Sequence, residues 1–272
     1  MREFVRIHSS NKKGIFLIMA NIDIKELLES GVHFGHQARR WNPKMKKFIY
    51  TQRGGVHIID LFETAKYLQQ AVDFAEKVAV NGGKILFVST KKQAKSIVKE
   101  EAEKAGQPYI NERWLGGMLT NFRTIRERIK RLKDIEAKEA GGDLAKFTKK
   151  EAALILEEKE RLQNIFEGVK EMDALPAAIY IVDITKEDIA VAEATKLGIP
   201  VIAMVDTNAD PDSVDYPIPA NDDAVKSIKT VTGLIAGAVT GGRAAFDANQ
   251  EKQRIAAEKA EAVEKAKEAK EA

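Results

Sequence analysis

Short apolar runs alternate along the chain with longer stretches in which apolar residues return every three or four positions. Residues 84–89 (KILFVS), 177–182 (AAIYIV) and 200–205 (PVIAMV) are of the first kind, compact and almost free of polar positions. Such runs suit strands buried on both faces, because a half-exposed strand would alternate apolar with polar. Residues 61–80, 90–104, 186–197 and 221–239 carry the helical spacing. Asn81-Gly82-Gly83, Gly106 and Gly198 close three of them, and Thr185 stands where it would cap the helix over 186–197. Residues 56–60 (VHIID) add a compact β-branched run, and Asp23 with Glu26 has the spacing of a capping box ahead of a short helix over 24–30. Strands alternating with helices of this length predict an α/β fold, doubly wound, with a parallel sheet covered on both faces.

Residues 120–169 follow a different pattern. Phe122, Ile125, Ile129, Leu132 and Ile135 step by three or four along one helix, and Ile155, Leu162, Ile165, Phe166 and Val169 do so along a second. Gly141-Gly142 separates the two, and Thr148 with Glu151 makes another capping box. Two facing stripes predict an antiparallel helical hairpin, a coiled-coil arm inserted into the α/β domain. The expected organisation is a leader over 1–18, an α/β domain over 19–119 and 170–243, the arm over 120–169, and a charged Ala/Glu/Lys tail over 244–272. In the leader, Arg2, Arg6, Lys12 and Lys13 precede an apolar run that is too short for the core of a secretory signal. Met19 is the expected functional start, with an organellar targeting peptide left as the alternative. The tail offers only Ile255 and Val263 to bury, so it is expected to fray unless a partner orders it.

Composition narrows the classes. A chain of 272 residues can bury a substantial core. The absence of cysteine excludes disulfides, thiolate metal sites and a thiol nucleophile, and fits a reducing compartment. No apolar run approaches the roughly eighteen residues of a membrane helix, so the chain is expected to be soluble. The net charge of +3 is mild but unevenly spread. Residues 91–133 hold twelve Lys or Arg against five acids, whereas residues 247–272 hold seven acids against six bases.

The densest basic segment lies earlier. Arg39, Arg40, Lys44, Lys46, Lys47 and Arg53 fall within residues 38–53, which contain no acid, and Phe34, Trp41, Phe48 and Tyr50 are threaded among or beside them. Lys and Arg displace the counterions condensed on phosphates, and aromatic faces stack on bases, so the mixture points to a nucleic-acid backbone. Pro43 keeps the middle of the segment out of a helix. A second basic group surrounds Trp114, Gly116 and Gly117: Arg113 precedes them, and Arg123, Arg126, Arg128, Lys130 and Arg131 follow. Trp114 reads equally well as a core residue at a tight turn.

Enzymatic chemistry finds less support. Doubly wound sheets bind ligands beyond the carboxyl ends of their strands, where the chain has Ser89-Thr90-Lys91-Lys92, Asp183 and Asp206. Yet no glycine-rich phosphate loop follows any strand, and no nucleophile elbow occurs. Thr90-Lys91-Lys92 at a helix start outlines an anion site, open to an RNA phosphate or to nothing more than a cap. His33 and His36, with Asp206, Asp210 and Asp212 near one strand end, allow a divalent metal site to be drawn from His33, His36 and Asp206, but two histidines without a third fixed ligand are more often packed or hydrogen-bonded side chains, so neither a metal nor any other cofactor is expected. Asp183, Asp206 and Asp222 are otherwise expected as strand-end and helix caps.

Four strings, GVHFGHQARRWNPKM (31–45), RWLGGMLTNF (113–122), IPVIAMVDTNADPD (199–212) and IPANDDA (218–224), resemble small-subunit ribosomal protein two, the S-two family, in its bacterial form. The likeness runs through roughly residues 19–243. It implies a flavodoxin-like sheet with a protruding helical hairpin and no enzymatic activity. It also implies a cytoplasmic place in the small ribosomal subunit, near the junction of head and body. The implied partners are small-subunit (16S) rRNA, neighbouring small-subunit proteins and ribosomal protein one, with no membrane and no homo-oligomer. Carried over residue by residue, it makes Arg39, Arg40, Trp41, Asn42, Lys44, Lys46 and Lys47 RNA contacts, to which the basic-segment pattern adds Arg53. Lys91, Lys92, Arg113, Arg123, Arg126 and Lys130 form a second tier. An α/β enzyme using the strand-end aspartates and a free-standing RNA-binding regulator are the rival readings.

Overall fold

The computed structural model describes residues 22–271; the expected leader and Met19 lie outside the described residues. Helix α1 (Ile24–Glu29) begins at Asp23, whose carboxylate accepts from the Lys25 backbone N–H at 2.8 Å. Strands β1 (Phe34–Gln37), β2 (Ile49–Arg53) and β3 (Val56–Ile59) make a small antiparallel sheet in the order β1-β3-β2. The VHIID run therefore pairs outside the parallel sheet, as the middle strand of a separate one. Helix α2 (Leu61–Val80) follows, capped by Asp60 and ended at Asn81 before Gly82, which adopts φ 77°.

The second sheet is entirely parallel. Its strands are β4 (Ile85–Val88), β5 (Tyr109–Ile110), β6 (Ala178–Val182), β7 (Val201–Val205) and β8 (Tyr216–Pro219), ordered β5-β4-β6-β7-β8. Counted along the chain within this sheet, the order is 2-1-3-4-5, that of flavodoxin-like sheets. The remaining helices are α3 (Lys95–Lys104), α4 (Phe122–Ala140), α5 (Lys149–Phe166), α6 (Asp188–Leu197) and α7 (Val225–Glu271).

Every residue of β4, β6 and β7 is buried, as their unbroken apolar sequences require. Alternate residues feed two separate apolar layers. Ile85, Phe87, Tyr180, Val182, Ile202 and Met204 pack beneath α2, α3 and α7. Leu86, Val88, Ile179, Ile181, Val201 and Ala203 pack on the opposite face, with α6, Trp114, Phe166 and two residues of the basic segment, Met45 and Phe48. Each large apolar side chain so enclosed contributes roughly 1.5–3 kcal/mol.

Helices α4 and α5 are joined through residues 141–148. The expected stripe Ile125, Ile129, Leu132 and Ile135 is the buried face of α4, and Thr148 and Glu151 form the expected capping box at the start of α5. Arg131 donates to both oxygens of Glu158 at 3.2 and 2.7 Å, and Lys159 meets Glu139 at 2.6 Å, so ion pairs link the two helices.

Three expected helix starts are corrected; the last helix begins at Val225, not Asn221, whose side chain accepts from the Asp223 and Ala224 N–H groups in the turn before it. Helix α3 begins at Lys95, not Thr90: residues 92–94 form a turn in which the Ala94 and Lys95 N–H groups donate to the Lys91 carbonyl, and the Thr90 N–H donates to the Glu187 side chain at 2.6 Å. Helix α6 begins at Asp188, not after Thr185; the Thr185 hydroxyl and N–H instead turn back to the Asp183 carboxylate.

Candidate nucleic-acid interface

The basic segment is a folded ledge, not a free loop. Residues Ala38–Arg40 and Pro43–Phe48 each make a short 3-10 turn. The Asn42 side chain caps the second by accepting from the Lys44 N–H at 3.0 Å, while the Asn42 N–H donates to the Thr207 carbonyl at 2.7 Å. Met45 and Phe48 project inward and are enclosed. Asn42 therefore works as a cap and tether. Trp41 is half-buried with its ring 5.3 Å from that of His57, and Phe48 belongs to the core, so Phe48 does not stand free to stack on a base. Tyr50, 75% exposed, and Phe34, 50% exposed, remain as the open aromatic faces.

The charges on this ledge differ in what they already hold. Lys44 is bound to Asp210 at 2.8 Å and Asp212 at 3.2 Å, which draws those two aspartates away from the candidate metal site. Among the described residues, Arg39, Arg40, Lys46, Lys47 and Arg53 are exposed and make no ion pair; Arg39 hydrogen-bonds Gln37, and Lys47 lies 4.9 Å over the Phe48 ring. Uncompensated, solvated cations held at fixed spacing are what a phosphate chain requires.

The second tier divides. Lys92 and Arg113 are exposed and unpaired among the described residues. Arg123, Arg126 and Lys130 line a groove of about 530 Å³ along α4, with Phe122 and Met172 on its apolar wall. Lys91 is a correction. It is buried, and its ammonium sits 2.8 Å from Asp222, 2.7 Å from Asp223 and 3.2 Å from Asp183. Burial opposes its charge, but Asp222 and the other carboxylates outweigh this and raise its pKa. It is unavailable to RNA, and the anion site drawn at Thr90-Lys91-Lys92 dissolves with it.

Lys91 stands past the end of β4, and Asp183 past the end of β6, the adjacent pair where the strand order reverses. That position is the usual ligand crevice of such sheets. Here the chain's own ammonium and carboxylates fill it. Lys91→Met should cost about 3–5 kcal/mol, because it leaves buried carboxylates without their counter-charge. Urea unfolding measures this, and a loss below about 1 kcal/mol would contradict the assignment.

The same cluster continues to β1. His36 Nδ1 lies 3.0 Å from Asp206 and Nε2 3.4 Å from Asp223, while the His36 N–H donates to Asp206 and to the Thr207 hydroxyl. Gly35 allows this approach, since a Cβ there would stand 2.6 Å from Thr207 Cγ2. Donor atoms of His36, Asp206 and Asp222 lie within 4.8 Å of one another, an N/O set that suits a divalent cation. His33 is not among them; its Nδ1 is enclosed without a hydrogen bond, and burial lowers its pKa. Asp222 was not legible as a member of this set, because it reaches His36 only through the fold.

The Asp206 hydrogen bond, against burial, pushes His36 up to about 9, and burial with the charges of Asp206 and Asp183 pushes Asp222 up to about 7. A raised histidine stabilises the fold fully below its unfolded value of 6.5 and loses that contribution as pH rises through about 9. The Asp222 cost grows from about pH 4 and is complete near 7, so the window from 7 to 9 belongs to His36. Stability should fall across it by at most about 3 kcal/mol. His36→Asn should flatten that slope, and an unchanged slope in urea titrations at each pH would refute the assignment.

The string around Trp114 has its own organiser, Glu193 on α6. Its carboxylate accepts from Trp114 Nε1 at 3.1 Å, Gly117 N–H at 2.7 Å, and Leu119 N–H, Thr120 N–H and the Thr120 hydroxyl, each at 3.0 Å. Burial raises the acid's pKa, but the backbone donors of Thr120, Gly117 and Leu119 prevail and lower it. Gly117 supplies φ 91°, which the wrap requires. Trp114 is accordingly a core residue, and Glu193 is the residue that sequence reasoning missed.

The sequence matches the family described as ribosomal protein S2 over residues 27–242. A small ribosomal subunit protein uS2 from Salinispora arenicola is 56% identical over 225 residues, covering 82% of this chain and 81% of that protein. Its counterpart from Acidothermus cellulolyticus is 55% identical over 225 residues, covering 82% of each. A parallel sheet whose ligand crevice is closed by Lys91, beside an exposed ledge of unpaired cations, agrees with these matches: the chain belongs to the ribosomal protein S2 family, whose members are structural, non-enzymatic proteins of the small ribosomal subunit.

Proposed function

We propose that the chain holds small-subunit (16S) rRNA near the junction of head and body, with the ledge of residues 38–53 as its principal contact. The observation that carries this reading is the set Arg39, Arg40, Lys46, Lys47 and Arg53, exposed and without ion pairs among the described residues. Lys92, Arg113, Arg126 and Lys130 extend the contact. The α4–α5 segment acts as an inserted antiparallel hairpin reaching a second RNA or protein element, so that two parts of the subunit are tied together. The α/β domain over 19–119 and 170–243 is the body that carries it. Support comes from the linked ion pairs of α4 and α5 and the basic groove on α4. Recruitment of ribosomal protein one is the further role, through surfaces outside the ledge. The subunit is a cytoplasmic particle, and no helix among the described residues is long and apolar enough to cross a membrane.

Bases neutralise phosphates and the folded ledge fixes their spacing, so recognition follows backbone shape rather than base identity. Sedimentation of a lysate through sucrose, with an antibody to this chain, tests the reading. At low salt the chain should travel with small subunits, and as salt rises it should be released steeply, with a log-log slope of roughly −0.9 per phosphate held on duplex. Protein remaining at the top of the gradient at low salt would refute it.

A further inference from the structure

We infer that the cleft between β1 and the arginine turn is a seat for one ribose-phosphate unit of an RNA strand, with Arg39 and Arg40 on the phosphate and Asp223 on the 2′-hydroxyl. The inference rests on the RNA-binding reading above and assigns a role to the second aspartate of the IPANDDA string, which that reading leaves unused.

The cleft has a volume of about 330 Å³ and is lined by Gly35, His36, Gln37, Arg39, Arg40 and Asp223, with Val56 at its side. Its walls are of mixed character. Arg40 makes no ion pair among the described residues, and Arg39 is oriented by a 3.0 Å hydrogen bond from its Nε to Gln37 Oε1. Opposite them, Asp223 is held rather than free: one carboxylate oxygen lies 2.7 Å from the Lys91 ammonium and the other 3.4 Å from His36 Nε2. Its side chain is still 53% exposed, so lone pairs remain open to the cleft.

A carboxylate fixed beside two arginines makes a poor pocket for a bare phosphate, which it would repel. It suits a ligand that brings a hydrogen-bond donor next to its negative charge. On a nucleic-acid backbone the donor nearest the phosphate is the ribose 2′-hydroxyl, and that group distinguishes RNA from DNA. Guanidinium forks match the phosphate oxygens, and a carboxylate, which only accepts, matches the hydroxyl proton. The Lys91 and His36 contacts stop Asp223 from swinging onto Arg40 and neutralising it.

The test uses the full chain and a short single-stranded uridylate oligomer, with its deoxy and 2′-O-methyl counterparts, read by fluorescence anisotropy at one low salt concentration. The ribo-oligomer should bind roughly ten- to a hundredfold tighter than either analogue, the scale of one hydrogen bond to a charged group. Asp223→Ala should bring the three oligomers within about twofold of one another without weakening the deoxy form, because only the hydroxyl contact is lost. Arg40→Ala should weaken all three alike and leave their ratio intact. Equal affinity of the unmodified chain for all three overturns this inference while leaving the RNA-binding reading standing. No binding to any of them overturns both. If circular dichroism shows Asp223→Ala to be unfolded, the three oligomers on the unmodified chain decide the matter alone.

Discussion

Replacing Arg39, Arg40, Lys46 and Lys47 together by Ala should lower affinity for small-subunit rRNA by roughly a hundredfold near physiological salt and make the remaining binding much less salt-dependent. Removing four phosphate contacts should reduce the log-log slope by roughly 3 to 4, depending on whether the RNA is single-stranded or duplex there. The fold should hardly notice. All four side chains are exposed and make no ion pair among the described residues, so thermal unfolding should shift by no more than a surface substitution does, within about 0.5 kcal/mol per site. Lys44 serves as the internal control, since its ammonium is already committed to Asp210 and Asp212. Lys44→Ala should cost less affinity than any single change among the four. Filter binding of the variants across a salt series measures both quantities, and an unchanged slope would remove the ledge from the interface.

Glu193→Ala should be among the most destabilising single changes in the molecule, alongside Lys91→Met. One buried carboxylate satisfies three backbone N–H groups, an indole and a hydroxyl. Truncation strands those donors where water does not replace the acceptor, at about 1–3 kcal/mol each before relaxation. A net loss of about 3–5 kcal/mol is expected, as for breaking other buried charged networks. Glu193→Gln should recover part of it, because the amide oxygen still accepts. The acid's lowered pKa means its contribution is present above about pH 4.5 and disappears as pH falls through the folded value. Chemical unfolding with tryptophan fluorescence reports directly, Trp114 being one of the released donors. If the variant unfolds within about 1 kcal/mol of the parent, the wrap around Glu193 is not what holds this turn.

Most of the parallel sheet could be read from sequence because strands enclosed on both faces have no polar positions to confuse the period. Residues 84–89, 177–182 and 200–205 coincide closely with β4, β6 and β7, and 61–80 coincides with α2. The capping box at Thr148 was legible for the same local reason: donor and acceptor are three residues apart. Contacts between distant segments were not. Nothing near Lys91-Lys92 separates the buried ammonium from the exposed one, because the partner at Asp222 is 131 residues away. Glu193 occupies an ordinary polar position of α6, and its meaning appears only when Trp114, 79 residues earlier, is brought to it. Strand β1, with the sequence FGHQ, has no β-branched residue to announce it and is fixed by pairing with β3 and by the Asp206 and Thr207 contacts of His36. The ledge itself was visible as charge, but its sorting into free and committed cations was not.

Met45 and Phe48 sit in the same apolar layer as the sheet residues beneath them, so the ledge above is rigid before any partner arrives. A disordered basic tail of equal charge would surrender its conformational freedom on association, and its affinity would shrink accordingly. Here that freedom is already lost when the polypeptide folds. Encounter with a polyanion would then be the docking of a stiff comb of charges, and tightness of grip would depend on how well its teeth match the spacing of the partner's phosphates.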